Sequence, residues 1–173
     1  MLADDCSYIK DIITLLLDAE DLDDEPALSQ IFVILRSLIL LNNEDVILQL
    51  LSDDFFLNMM KGLTHDPEVA PSERIDHVAN LSAPGIFKQL IPIRDKDTLE
   101  MIHFNFRVQY LLDTVMARVI DDQCHNTLNT IIHIHTGQIV RNLYQDGLYF
   151  KELFRKLNDP CNTSESMWGL LVS

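Results

Sequence analysis

The chain has 173 residues, 47% hydrophobic and 23% charged, enough for one folded domain with a sizeable core. Thirteen basic side chains against 27 acidic ones give a net charge of −14, which repels phosphate backbones and anionic headgroups and weighs against nucleic-acid and membrane partners. Cys6, Cys124 and Cys161 are odd in number and lie far apart, which excludes a disulfide framework or a zinc knuckle and points to a reducing compartment.

Asp4 and Asp5 do not suit a secretory signal, so no such signal is expected, and the glycosylation sequons at Asn80 and Asn162 are read as chance. The apolar spacing of Tyr8 to Asp18 predicts a helix with a wide buried face. Asp18, Glu20, Asp21, Asp23, Asp24 and Glu25 then fill six of eight positions, a solvated acidic loop that could also steer a basic partner. Pro26 fits the first turn of a helix over Ala27 to Leu41. Asn42 or Asn43 can end that helix and cap Glu44 to Leu51, and Ser52 or Asp53 can cap a helix from about Asp54 to Leu63.

Residues 64–95 hold four of the six prolines and read as a long ordered insertion with a short helix near Ser72 to Asn80. Phe87, Leu90, Ile91 and Ile93 call for burial there. Asp95 is placed to cap a long helix over Lys96 to Ile120. A further helix, Gln123 to His135, is capped by Asp121 or Asp122 and closed by a left-handed Gly137. Thr163 or Ser164 can cap a last short helix, which would need tertiary support, and the domain is expected to be cut off beyond it.

One stretch is said twice. Val46, Ile47, Leu50, Leu51 and Asp53 recur as Ile139, Val140, Leu143, Tyr144 and Asp146, a shift of 93 positions. One residue is gained at the turn, and then Phe55, Phe56, Met59, Met60 and Leu63 recur as Tyr149, Phe150, Leu153, Phe154 and Leu157. Each copy reads as helix, tight turn, helix. Such a unit cannot bury its own apolar stripe and must stack on neighbours, as helical solenoids do. The expected fold is therefore all-α: an armadillo/HEAT-like helical repeat stack of about three irregular repeats, a single domain over residues 1–173 interrupted at 64–95. The stripe of Phe55, Phe56, Met59 and Met60 is read as core, and its recurrence supports the same reading for the second copy.

Sites of chemistry are sparse. His133 and His135 point to nearly opposite sides of a helix and cannot readily share an ion, and Cys124 and His125 diverge by about 100° on a helix, too far for an activated thiol. Catalysis through Cys124 or the histidines is kept only as a rival that would need a concave pocket gathering them. His103, Arg107, Tyr110 and Thr114 recur at helical spacing on the long central helix. They form either an internal polar seam that docks the insertion, with Arg107 on carbonyls of residues 64–95, or an open face on which Arg and Tyr anchor a partner.

The sequence resembles the regulatory subunit 3 family of protein phosphatase 4, the SMEK or falafel-like proteins, in their central conserved domain. The resemblance rests on His65-Asp66-Pro67, on Phe87-Lys88 with Ile91-Pro92-Ile93-Arg94-Asp95, and on Ile102-His103-Phe104-Asn105-Phe106-Arg107-Val108-Gln109-Tyr110-Leu111-Leu112-Asp113. Thr127 to His133 and Phe150-Lys151-Glu152-Leu153-Phe154 follow in order. Phe104 and Phe106 depart from the family's usual Gln and Tyr, and residues 80–85 are less basic than the family segment. The resemblance implies a non-catalytic scaffold that joins the phosphatase catalytic subunit and a second regulatory subunit. It also implies targeting to substrates in nucleus and cytoplasm, including those of the DNA-damage response. It implies no cofactor, metal ligand or catalytic residue in this chain. The alternative is an armadillo-like protein-interaction adaptor unrelated to phosphatases.

Overall fold

The computed structural model describes residues 7–83, 89, 91–115 and 122–158. They contain eight α-helices and no strand. The helices are α1 (Ser7–Asp21), α2 (Glu25–Leu40), α3 (Glu44–Leu50), α4 (Phe56–Leu63), α5 (His77–Leu81), α6 (Lys96–Tyr110), α7 (Asp122–Gln145) and α8 (Tyr149–Leu157). The all-α repeat expectation holds. No helix among these residues is long and apolar enough to cross a membrane.

Local chemistry explains most of the boundaries. The Asp24 carboxylate accepts from the Ala27 amide at 3.1 Å, and Pro26 occupies the first turn of α2, where its missing N–H costs nothing. The chain reverses at Asn42, which adopts a left-handed φ of 53°, and the Asn43 side chain then accepts from the Val46 amide to start α3. Asp95 accepts both the amide and the hydroxyl of Thr98 at the start of α6. The insertion holds a 3-10 turn, Pro71–Glu73, and α5, whose first turn is capped by Asp76 at 2.9 Å.

Three expectations are corrected. Neither Ser52 nor Asp53 caps α4: Phe55 stands at its N-cap with no side-chain bond, because the Asp53 carboxylate is drawn to Arg107. The central helix is not uniform: after Tyr110 it widens into a π turn, Leu111–Val115, and residues 116–121 lie outside the described residues. The break expected at Gly137 does not occur, and α7 runs unbroken from Asp122 to Gln145. Asn105 of α6 holds the helix across that point, donating to the Ile132 carbonyl at 3.4 Å and the Thr136 hydroxyl at 3.4 Å while its amide oxygen meets His135 Nδ1 at 3.0 Å. The left-handed glycine of this region is Gly147, with φ 56°, at the α7–α8 turn. Phe87, Leu90 and the last expected helix fall outside the described residues, whereas Ile91 is buried and Ile93 half-buried.

Helix α1 packs on α2, α2 on α4, and α6 on α7. Gly62 lets α4 approach α2, since a Cβ there would run into the Leu35 side chain. The buried cluster joins α1 through α4 to α6, the π turn and the first half of α7. Helix α8 contributes no buried residue to it.

Candidate functional site

The polar face of α6 is largely engaged within the molecule. Arg107 Nη1 donates to the Leu51 carbonyl at 2.8 Å, Nη2 pairs with Asp53, and the guanidinium lies 5.7 Å from the Phe56 ring centroid. The carbonyl it satisfies therefore belongs to the α3–α4 turn, not to the insertion as expected. Arg107 and Tyr110 are three residues apart, roughly one helical turn, and point to different neighbours. Burial lowers the guanidinium's pKa, and it remains a cation. Tyr110 is the residue that meets the insertion: its hydroxyl lies 3.2 Å from His77 Nδ1, and the two rings are edge-on at 5.9 Å. Burial pushes His77 below its ordinary pKa, against a smaller raising influence from Asp76. His103 is half-buried farther up the same helix. The Thr114 hydroxyl donates 2.6 Å to the Tyr110 carbonyl, a group whose usual helical partner is displaced in the π turn.

Thr114 and Val115 also line a half-open cavity of about 170 Å³ between the end of α4, the insertion and the π turn. Phe32, Leu63 and Val115 form its apolar floor, and Asp66, Glu73, Arg74 and His77 stand around it. Sequence reasoning missed this cavity. The only local hint is the placement of Arg74 and His77 within a proline-punctuated segment. It also missed a second seam between α6 and α7, where Asn142 donates 2.9 Å to the fully buried Thr98. Thr98 and Asn105 are seven residues apart, two turns of one face, and that spacing is the signal for the seam.

The second repeat copy exposes apolar positions that the first buries. Ile47, Leu51 and Met60 are 2%, 1% and 0% exposed, whereas their counterparts Val140, Tyr144 and Phe154 are 56%, 77% and 59% exposed. The core reading of this stripe therefore holds for the first copy, whereas in the second Phe154 is exposed and Tyr149, Phe150 and Leu153 are only half-buried. Leu148 adds an exposed apolar side chain at the α7–α8 turn, and Tyr144 and Tyr149 both pack their rings against Phe150. Beside it, Ile91, Arg94, Asp146, Tyr149 and Lys156 frame a notch of about 220 Å³.

The residues of the catalytic rival are dispersed. Cys124 is buried, with its thiol 3.5 Å from the Ile39 carbonyl, while His125 and His133 are exposed and His135 packs edge-on against Phe104. Among the described residues no three His, Cys, Asp or Glu side chains gather to hold a metal ion.

Comparison with known proteins adds the lineage. The family profile "Phosphatase 4 regulatory subunit 3" matches residues 1–170. The chain is 33% identical over 170 residues to "Suppressor of Mek1" of Dictyostelium discoideum, covering 95% of this chain and 16% of that protein. It is 31% identical over 157 residues to "Serine/threonine-protein phosphatase 4 regulatory subunit 3" of Drosophila melanogaster, covering 89% of this chain and 16% of that protein. An uncharacterized protein of Schizosaccharomyces pombe is 33% identical over 149 residues, which is 86% of this chain and 18% of that protein. The chain thus spans about a sixth of the length of these relatives. No solved structure matches it.

Proposed function

Because the chain belongs to the phosphatase 4 regulatory subunit 3 family, we propose that it is a non-catalytic scaffold segment of a protein phosphatase 4 holoenzyme, and that α7 and α8 carry the phosphatase catalytic subunit. The observation that carries the assignment of the face is the contrast between the two repeat copies. A stripe that is largely core in the first is half-buried or exposed throughout in the second, with Val140, Tyr144 and Phe154 open to water. Grouped exposed aromatic and aliphatic side chains of this kind mark interaction surfaces, and Tyr and Phe are favoured at their centres. Placement and binding are the whole mechanism in this chain; the phosphate-transfer chemistry resides in the partner. A second regulatory subunit joins the same assembly, and its substrates lie in nucleus and cytoplasm, with those of the DNA-damage response among them.

The test is capture from extract. The purified chain is expected to retain the phosphatase 4 catalytic subunit. The combined variant Val140→Ser, Tyr144→Ser and Phe154→Ser is expected to melt like the parent, since all three side chains are exposed, and to bind at least about tenfold more weakly. Equal capture by both proteins overturns the assignment of the face. Failure of the parent to capture the phosphatase overturns the scaffold reading.

A further inference from the structure

The cavity at the π turn lies apart from α7 and α8 and makes a different offer. Its floor, Phe32, Leu63 and Val115, is almost fully apolar, and its volume of about 170 Å³ compares with the ~150 Å³ that accommodates a benzene ring. It is half-open, so it suits a side chain delivered by a larger molecule better than an enclosed small ligand.

Both ends of its wall are tied down before anything binds. Arg74 Nη1 reaches both Glu25 carboxylate oxygens, at 3.0 and 3.3 Å, and its Nε donates to the Val69 carbonyl at 3.4 Å. The buried His77 is held against Tyr110. A rim fixed in this way loses little freedom on binding. The π turn adds to the case, since such turns recur at functional sites.

Charge selects the occupant. The one guanidinium on the rim is matched by Glu25, and Asp66 and Glu73 then leave the rim negative. The whole chain, at −14, repels phosphates and acidic segments alike. We propose that this cavity receives one bulky apolar side chain of a partner protein segment that carries lysine or arginine immediately beside it, with Glu73 and Asp66 taking the basic side chains.

The probes are fluorescein-labelled peptides Ser-Phe-Arg-Arg-Ser and Ser-Leu-Arg-Arg-Ser, with Ser-Phe-Glu-Glu-Ser and Ser-Gly-Arg-Arg-Ser as controls, titrated against the whole chain by anisotropy and amide NMR. The first two are expected to bind saturably and to shift the amides of residues 63–69, 73–77 and 114–115. Glu73→Lys, at an exposed position, is expected to weaken them about tenfold without changing the melting temperature. Equal binding of the Glu-Glu peptide, equal binding of the glycine peptide, an unaffected Glu73→Lys variant, shifts mapping elsewhere, or no binding at all each overturns the proposal. The Val140, Tyr144 and Phe154 variant is expected to bind these peptides like the parent, so the outcome stands apart from that of the phosphatase-capture experiment.

Discussion

Residues 44–63 and 138–157 share an apolar pattern and part company in everything that surrounds it. In the first copy, α3 and α4 lie beneath α2, and Arg107 of α6 clamps the turn between them. In the second, the first helix is the tail of the long α7 and the second, α8, has no buried residue. The pattern determines that a segment becomes a helix and which of its sides is apolar. Whether that side is core or surface depends on what the rest of the chain lays over it. A repeat therefore reports architecture reliably and burial only conditionally, and the copy that escapes burial is the one to suspect of holding a partner.

The sharpest way to break this contrast is to truncate matched residues. Met60→Ala should cost about 3 kcal/mol, since it opens a void in a sealed core, while Phe154→Ala should cost less than about 0.5 kcal/mol at an exposed site, both read from urea unfolding. Similar losses at the two positions would mean that the two faces are equally covered.

The clamp comes next. Arg107→Ala should cost about 2 kcal/mol, because it strands the Leu51 carbonyl and uncovers Phe56. Asp53→Asn should cost below about 1 kcal/mol, since the Asp53 side chain is mostly in water and an exposed ion pair contributes little. A larger effect for Asp53 than for Arg107 would show that the ion pair, and not the carbonyl bond, holds the first copy's turn.

Gly137 sharpens the contrast from the other side. A left-handed terminal glycine would resist any side chain, but Gly137 lies inside α7 with open space where a Cβ would stand. Gly137→Ala should therefore stabilise the protein by about 0.5–1 kcal/mol in thermal melts, whereas a loss would restore the helix break of the first copy.

Protonation affects the insertion and α7 through the buried His77 and the half-buried His135. His77 and His135 have pKa values lowered by burial, so the folded protein binds fewer protons than the unfolded chain. Their neutral forms favour folding at pH 7 and above, and stability should fall as pH drops below about 6.5, the ordinary histidine value. His77→Gln should flatten part of that fall, and an unchanged slope would remove His77 from the account.

The comparison also explains what was legible beforehand. Pro26, Asn43 and Asp95 act through neighbours within a few residues, so the starts of α2, α3 and α6 could be read directly. The short helix in the insertion was legible in existence but not in its start, which Asp76 sets at His77 after a separate 3-10 turn at Pro71–Glu73. Asp53 was misread because its carboxylate meets Arg107, 54 positions away, a pairing that no local pattern announces. Gly137 was misread because Asn105 of α6, in another element, supplies the bonds that carry α7 across it. The π turn and the cavity beside it depend on three segments meeting, which no local pattern announces. Of the four polar residues marked at helical spacing, His103, Arg107 and Tyr110 lie on α6 and Thr114 lies in the π turn after it, and the spacing could not say that Arg107 faces the first repeat, Tyr110 the insertion and Thr114 the cavity.

The central claim is that one repeat copy is covered by the chain itself and the other by a partner, and hydrogen exchange on the chain alone and bound to the phosphatase 4 catalytic subunit tests it most directly. The account predicts that residues 44–63 are strongly protected in both states and that residues 134–157 gain protection only in the complex. Added protection elsewhere, with α7 and α8 exchanging as they do in the isolated chain, would contradict it.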